Sequence, residues 1–137
     1  MENGKVSTRR ESREQALLAL FQVFLGKNGV EEALQYVTEE GQSSAFLTVL
    51  VQGVVSHQAE IDQVIRDCAE KWSLERFGNV ELNMIRIATF ELIYEQKTPQ
   101  KVILNEAIEV VRKFSDEKAV KFTNSVLQKI SDKVRGV

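Results

Sequence analysis

The stretch NVELNMIRIATFELIYE, residues 79–95, carries apolar side chains on almost every side of a helix. A helix without a polar face has to be surrounded by other parts of the protein, so this stretch predicts a central, buried helix. Elsewhere in the 137 residues, apolar positions recur every three to four residues, and no segment shows the strict alternation of a half-buried strand. The sequence therefore predicts an all-α fold.

Further helices are predicted on both sides of the central stretch, with capping residues, a glycine and a proline near their ends. Before it, the predicted helices run from Thr8 to Leu25, from an Asn28–Glu31 capping box onwards, and from Ser43 or Ser44 to Cys68 with a bend or break near Gly53 to His57. After it, one helix is predicted to start at Thr98-Pro99 and another near Ser115. The connector before the central helix, with Leu74 and Phe77, is the expected seam between two lobes.

Charge is distributed unevenly along the chain. Residues 1–13 hold four Lys and Arg against two acids, residues 14–109 hold seven against fifteen, and residues 110–137 hold seven against three. Basic ends that meet in the folded protein would form a positive surface suited to nucleic acid, whereas charges scattered over the surface would serve only solvation. The charge pattern alone leaves both interpretations open.

The first predicted helix begins with an unusual set of charges. Thr8 and Glu11 form a T-x-x-E capping box, yet Arg9 and Arg10 fall in the first turn and Arg13 lies one turn later. A helix N-terminus carries partial positive charge and disfavours cations by about 0.3–1 kcal/mol each. We therefore predict that the three arginines face a negative partner, and that they contact phosphates.

The last predicted helix places an aromatic ring among lysines. Its core face carries Val120, Leu127 and Ile130, and at about 100° per residue a second set of side chains points well away from that face. These residues are Lys118, Lys121, Phe122, Ser125 and Lys129. Phe122 is predicted either to stack on an unpaired base or to pack beneath the first helix.

Several kinds of chemistry find no support in the sequence. There is no glycine-rich nucleotide loop, and one histidine, His57, with one cysteine, Cys68, cannot build a zinc site of the usual spacing. No residues suggest a nucleophile, a general base, a metal or a cofactor, so an enzyme is not expected. The N-terminus lacks an apolar signal region, the apolar stretch 46–55 is too short to span a membrane, and a single cysteine fits the cytoplasm.

Three stretches of the C-terminal half, VELNMIRIATFEL (80–92), VILNEAIEVVRKF (102–114) and KFTNSVLQKI (121–130), resemble the signature of the NusB transcription antitermination family in content and order. RRESREQALLALF (9–21) is similar to the family's arginine-rich start. The resemblance implies one all-α domain, residues 1–137, with three-helix lobes at about 8–70 and 79–134. It also implies a factor that binds the boxA element of ribosomal RNA transcripts with the ribosomal protein NusE, within an RNA polymerase antitermination complex.

The resemblance also implies roles for particular residues. Arg9, Arg10 and Arg13 match RNA-binding arginines, and Phe122 and Asn124 match an F-x-N motif; Lys118 and Lys121 are added to this RNA-binding set. Glu81 matches the acidic residue of the V-E motif and is predicted, with Phe21, to bind the protein partner. Phe21 stands where the family often has tyrosine, Ser125 replaces a usual glycine, and Lys118-Ala119 stands where Asp-Ser is common.

Some alternatives stay open at the level of sequence. Phe21 fits a core position of the first helix as well as a partner surface, and Arg86 on the buried helix is expected to form an internal pair with a carboxylate. A helical protein-interaction adaptor without specific RNA binding is the alternative function. The sequence leaves open whether the protein forms a homodimer.

Overall fold

The computed structural model describes residues 8–38, 43–69 and 73–136, and these form seven α-helices, one short 3-10 helix and no β-strand. The 3-10 helix spans Leu74–Arg76. The α-helices are α1 (Arg9–Phe24), α2 (Val30–Val37), α3 (Ala45–Ser56), α4 (Gln58–Cys68), α5 (Asn79–Tyr94), α6 (Gln100–Phe114) and α7 (Glu117–Arg135). The predicted all-α fold is confirmed.

The helix α5 lies at the centre of the molecule, as its sequence predicts. It packs against α1, α3, α4, α6 and α7, and every residue from Asn83 to Leu92 is buried. The buried apolar side chains of the surrounding helices join those of α5 in one continuous cluster. The division into lobes at about 8–70 and 79–134 stays a prediction, because α5 contacts helices from both.

The region around Gly53 and His57 contains the break between α3 and α4 and a close approach of α3 to α5. The predicted interruption between α3 and α4 falls at His57, whose backbone N–H donates to the carbonyl of Gly53 at 3.0 Å. Gly53 itself lies against the ring of Phe90, where a Cβ atom would come within 2.2 Å of Cε1. Only glycine lets α3 approach α5 this closely, which explains a glycine in the middle of an apolar helix.

Helix starts agree with the sequence prediction to within one residue. The capping box of α1 is present, with Glu11 N donating to Thr8 Oγ1 at 3.0 Å and Thr8 N donating to Glu11 Oε1 at 2.8 Å. The predicted box at Asn28 and Glu31 is wrong by one position, because Gly29 N donates to Glu32 Oε1 instead. The Asn28 side chain is engaged elsewhere and donates to Gln22 Oε1 at 2.8 Å.

The other starts follow the same pattern. Ser44 caps α3 by accepting a hydrogen bond from Leu47 N at 3.0 Å, which decides between the two predicted serines. Pro99 occupies the N-cap of α6, one residue after the predicted Thr98. Asp116 caps α7 by accepting from Ala119 N at 2.9 Å, one residue after the predicted Ser115.

Arg86 forms the internal ion pair that its position predicts. Its guanidinium donates to both carboxylate oxygens of Asp62 on α4, at 2.8 and 3.1 Å, and to Asn83 Oδ1 at 3.0 Å. The ring of Phe24 lies 4.6 Å from the guanidinium carbon and covers it from the α1 side. Arg86 thus joins α4, α5 and α1 inside the protein.

Candidate nucleic-acid interface

A cleft of about 440 Å³ lies at the start of α1 and brings the three predicted arginines together; we call it the arginine cleft. The start of α1, the turn between α5 and α6, and the first turns of α6 form its walls. Its lining residues are Arg9, Arg10, Arg13, Lys97, Thr98, Pro99, Val102 and Glu106. Lys97 was not singled out from the sequence, because no pattern around residue 97 indicates that the chain returns to α1.

Arg9 is exposed, and an aromatic ring supports its side chain. The guanidinium carbon lies 3.8 Å from the centroid of Phe46 on α3, a distance at which the ring face attracts a cation. The side chain is exposed and lines the cleft, so the guanidinium is accessible from solvent. Arg9 is therefore arranged to bind an anion at the cleft.

Arg10 is held by a carboxylate but stays open to solvent. Its Nε and Nη2 donate to the two oxygens of Glu106 at 2.7 and 2.8 Å, and half of the arginine side chain, 51%, is exposed. The hydrogen bond from Arg10 is the main reason why the pKa of Glu106 lies below its ordinary value. The pair is bidentate and the Glu106 side chain is 22% exposed, so a phosphate would have to compete with this carboxylate for the guanidinium.

Arg13 differs from its two neighbours, because it is buried. Its side chain is 2% exposed and donates two hydrogen bonds to the fully buried Glu91 of α5, at 2.8 and 2.7 Å. A carboxylate inside the protein requires a cation, and Arg13 supplies it. This geometry does not favour the predicted phosphate contact. The sequence feature that indicates a buried partner for an arginine is Glu91, because it is an acid on a helix that is apolar on almost every side.

A second cleft, of about 400 Å³, lies between the connector that precedes α5 and the start of α7; we call it the Phe122 cleft. Phe122 is half-buried, and its ring packs edge-on against Phe77, with centroids 5.0 Å apart and planes at 79°. The remaining lining residues are Arg76, Gly78, Glu81, Ser115, Asp116, Lys118 and Ala119. Phe122 is thus partly open to the cleft and partly packed on the connector, whereas the predicted packing alternative lay beneath the first helix.

The Phe122 cleft combines residues that the sequence assigned to different partners. Lys118 and Phe122 were predicted to bind RNA, and Glu81 was predicted to bind a protein, yet all three line it. Glu81 lies in the first turn of α5, where a carboxylate is favoured, and Gly78 makes room for it: a Cβ atom there would lie 2.5 Å from the Glu81 carboxylate. The predictions from the sequence therefore assign an RNA strand and a protein partner to the same cleft.

Three of the predicted residues lie outside both clefts. Lys121 and Asn124 are exposed on α7, and Asn124 is turned about 160° around the helix axis from Phe122. Phe21 is half-buried on α1 and packs against the core. Its neighbours one turn away, Leu18 and Leu25, are 39% and 56% exposed, so α1 presents an apolar ridge around Phe21. The sequence analysis named Phe21, with a core position and a partner surface as alternatives, but did not name these two leucines as surface residues.

The two clefts lie at opposite ends of α6. Val102 and Glu106, near its start, line the arginine cleft, while Ser115 and Asp116, just after its end, line the Phe122 cleft. A helix of 15 residues is about 22 Å long at 1.5 Å per residue. Among the described residues, the arginines of α1 and Lys118 of α7 therefore line two different clefts.

No group of three or more His, Cys, Asp and Glu side chains among the described residues is arranged to hold a metal ion. None of their helices is both long enough and apolar enough to cross a membrane.

The chain is similar to known proteins over most of its length. Residues 10–132 match the NusB family. The chain is 48% identical over 122 residues to the transcription antitermination protein NusB of Geobacillus kaustophilus, which covers 89% of this chain and 94% of that protein. It is 39% identical over 126 residues to the same protein of Bacillus subtilis, covering 92% and 96%.

A solved structure has the same fold. The crystal structure of the antitermination factors NusB and NusE in complex with dsRNA contains a chain that matches with a TM-score of 0.83 and 31% sequence identity. The match covers 91% of this chain and 96% of that chain.

Proposed function

The chain belongs to the NusB family, and from this premise we propose that it is a transcription antitermination factor that binds boxA-containing RNA of ribosomal RNA transcripts together with NusE. The observation that carries the proposal is the match to the solved complex of NusB and NusE with dsRNA, at a TM-score of 0.83 over 91% of the chain. In this function the protein joins an RNA polymerase complex that resists termination.

The arginine cleft is the proposed phosphate-binding surface. Arg9 and Arg10 are exposed at the start of α1, and Lys97 adds a third cation from the turn between α5 and α6. Phosphate contacts supply much of the affinity of RNA-binding proteins but little sequence information. We assign Arg13 the role of holding α1 against α5 through Glu91, so that the other two arginines project from a fixed helix.

The exposed side of α7 is the proposed base-binding surface. Phe122 rests on Phe77 and has one part of its ring open to the cleft, beside the ammonium-bearing side chain of Lys118. Unpaired bases of single-stranded RNA are usually held by stacking on such rings. Lys121 extends the surface on α7, whereas Asn124, turned about 160° from Phe122, contacts the RNA from the far side of the helix rather than from the cleft.

Glu81 and Phe21 form the proposed contact with NusE. Glu81 provides a half-buried negative charge in the Phe122 cleft, which suits a basic partner. Phe21 and the exposed Leu18 and Leu25 provide an apolar ridge on α1. Aromatic and aliphatic anchors of this kind often contribute most of the energy of a protein interface.

The proposed function involves no catalysis. In the two clefts, cations serve to bind phosphates, a ring serves to bind a base and a carboxylate serves to bind a protein. Outside them, the apolar ridge on α1 serves to bind the same protein. Because the function is coupled to transcription, we place the protein in the cytoplasm.

A gel-shift titration with boxA RNA and a scrambled RNA of the same composition, with and without NusE, tests the function. We expect tighter binding of boxA than of the scrambled RNA, a further gain when NusE is present, and an affinity that falls steeply with salt. Equal, weak retention of both RNAs with intact NusE binding would instead support the protein-interaction adaptor.

A further inference from the structure

The end of α7 closes the C-terminal end of α5. Arg135 donates hydrogen bonds to three carbonyls near the end of α5, those of Leu92 at 2.9 Å, Glu95 at 3.1 Å and Glu91 at 3.3 Å. The last carbonyls of a helix lack partners within it, and α5 has no basic residue in its own last turn. Arg135 therefore supplies donors that α5 does not provide.

The same guanidinium also holds the turn that follows α5. Its Nη1 donates to the carbonyl of Thr98 at 2.7 Å, the shortest of its four hydrogen bonds. Within the turn, Thr98 N donates to the carbonyl of Glu95 at 3.0 Å. A guanidinium is planar and its donors have fixed directions, so one side chain fixes Thr98 relative to the end of α5.

This turn is one wall of the arginine cleft. Lys97, Thr98 and Pro99 line the cleft from the turn, while Arg9 and Arg10 line it from α1. Arg135 itself is not a lining residue. Glu91 also links Arg135 to α1. Its carbonyl accepts a hydrogen bond from Arg135, and its carboxylate accepts one from Arg13.

We propose that Arg135 is a positioning residue for RNA binding, which acts by holding the wall formed by Lys97 and Thr98 at a fixed distance from Arg9 and Arg10. It does so without touching the RNA. A wall that is already ordered spares the complex the entropy of ordering it, so losing the clamp weakens binding. This inference rests on the proposed function of the arginine cleft.

The test compares Arg135→Ala with Lys133→Ala as a matched control. Lys133 lies two residues before Arg135 on α7 and carries the same charge. Its Nζ, however, lies 3.9 Å from the carboxylate of Asp67 on α4 and is paired there rather than with the turn after α5. Affinity for boxA RNA is measured over a range of salt concentrations. Urea unfolding at the same temperature verifies that each variant is folded under the conditions of the measurement. Arg135→Ala should weaken binding by about two- to thirtyfold, the range for residues that act on a site through packed elements. Lys133→Ala should change it little.

Two further variants separate positioning from charge and from stability. Arg135→Lys keeps the charge but loses the planar donors, so it should also weaken binding, and it replaces Arg135→Ala if that variant does not fold. Combining Arg135→Ala with Lys97→Ala should weaken binding by less than the product of the single effects, because both act through one wall.

Different outcomes would overturn the positioning role of Arg135 and the proposed RNA-binding function of the arginine cleft. Normal affinity of folded Arg135→Ala, losses equal to those of Lys133→Ala, or full independence from Lys97→Ala would each overturn the positioning role alone. Normal affinity of Arg9→Ala/Arg10→Ala would overturn the proposed function of the cleft, and the positioning role with it.

Discussion

Arg9, Arg10 and Arg13 are three identical side chains within one stretch of α1, yet their surroundings give them different roles. Arg9 rests on Phe46 and stays exposed, Arg10 is paired with a partly exposed Glu106, and Arg13 is buried against Glu91. The desolvation of a charge, rather than its chemical type, decides whether it is available to a ligand.

The pair of Arg10 and Glu106 predicts a pH dependence of stability. The hydrogen bond from Arg10 lowers the pKa of the Glu106 carboxyl in the folded protein. Such a carboxyl stabilises the fold at pH values above its unfolded pKa, about 4.3, and the stabilisation is lost as the pH falls through the lower folded pKa. The difference in free energy of unfolding between wild type and Glu106→Gln should therefore shrink on acidification from pH 7 to pH 3. Glu75→Gln, which alters an exposed carboxylate, is the control; a difference that stays constant with pH would contradict the assignment.

The half-buried ring of Phe122 predicts a division between stability and binding. Phe122→Ala should lose about 1–3 kcal/mol of RNA-binding free energy, the usual value of one base stacked on a ring. Phe77, which is 7% exposed, is the comparison, because truncating a buried Phe to Ala costs about 3–5 kcal/mol of stability. Urea unfolding and boxA affinity are measured on the same preparations. A larger stability loss for Phe122→Ala than for Phe77→Ala, with normal affinity, would make Phe122 a core residue.

At this scale the sequence predicts contacts between residues that are close in the chain better than contacts between distant ones. The capping pair Thr8 and Glu11 was predictable, because both partners lie within one turn. Arg13 and Glu91 are 78 residues apart, and only the packing of α1 on α5 brings them together. The pairing of Phe122 with Phe77 likewise depends on where the connector runs.

At the scale of helices, buried ion pairs fix how α5 packs against its neighbours. Glu91 holds α1 through Arg13, and Arg86 holds α4 through Asp62. The sequence predicted that Arg86 would have an internal carboxylate partner, but not that the partner would lie on α4. Helix starts were predicted to within one residue. The start of α2 was not predicted correctly, because the Asn28 side chain forms a hydrogen bond with Gln22 that has no signature in the sequence.

The pair between α1 and α5 predicts unequal effects of two neighbouring arginine substitutions. Arg13→Ala leaves Glu91 buried without its cation and should cost about 3–5 kcal/mol of stability. Arg9→Ala removes an exposed side chain and should cost less than about 1 kcal/mol, in the range of exposed charge pairs and cation–π contacts. Urea unfolding of both variants provides the measurement. Near-wild-type stability of Arg13→Ala would show that the pair is not closed in solution.

At the scale of the whole molecule, the two clefts lie along α6: Glu106 of the arginine cleft and Ser115 of the Phe122 cleft are nine residues apart, about 14 Å along the helix axis. Sites this far apart with no shared partners usually contribute independently. The losses of boxA affinity in Arg9→Ala/Arg10→Ala and in Lys118→Ala/Lys121→Ala should therefore add in free energy when all four substitutions are combined. Salt titrations of the three variants measure this, and the salt slope should fall by about one for each lost phosphate contact. Strong non-additivity would mean that the two clefts act as one site.

The position of Glu81 at the shared cleft predicts a selective loss of the protein partner. Glu81→Lys reverses a half-buried charge at the start of α5 and should weaken NusE binding while shifting the midpoint of thermal unfolding only slightly. A pull-down of NusE with the folded variant measures the effect. Glu75→Lys, on the exposed 3-10 helix of the connector, is the control for added charge; equal losses in both variants would remove Glu81 from the interface.

The contact of Gly53 with Phe90 has a consequence for how the chain tolerates mutation. In a library that samples every amino acid at every position, residue 53 should be among the most restricted sites, although it lies in neither cleft and carries no side chain. The ring of Phe90 occupies the place that any larger residue would need, so even alanine would force α3 and α5 apart. A larger residue at position 53 should be tolerated only together with a substitution of Phe90 by a smaller side chain.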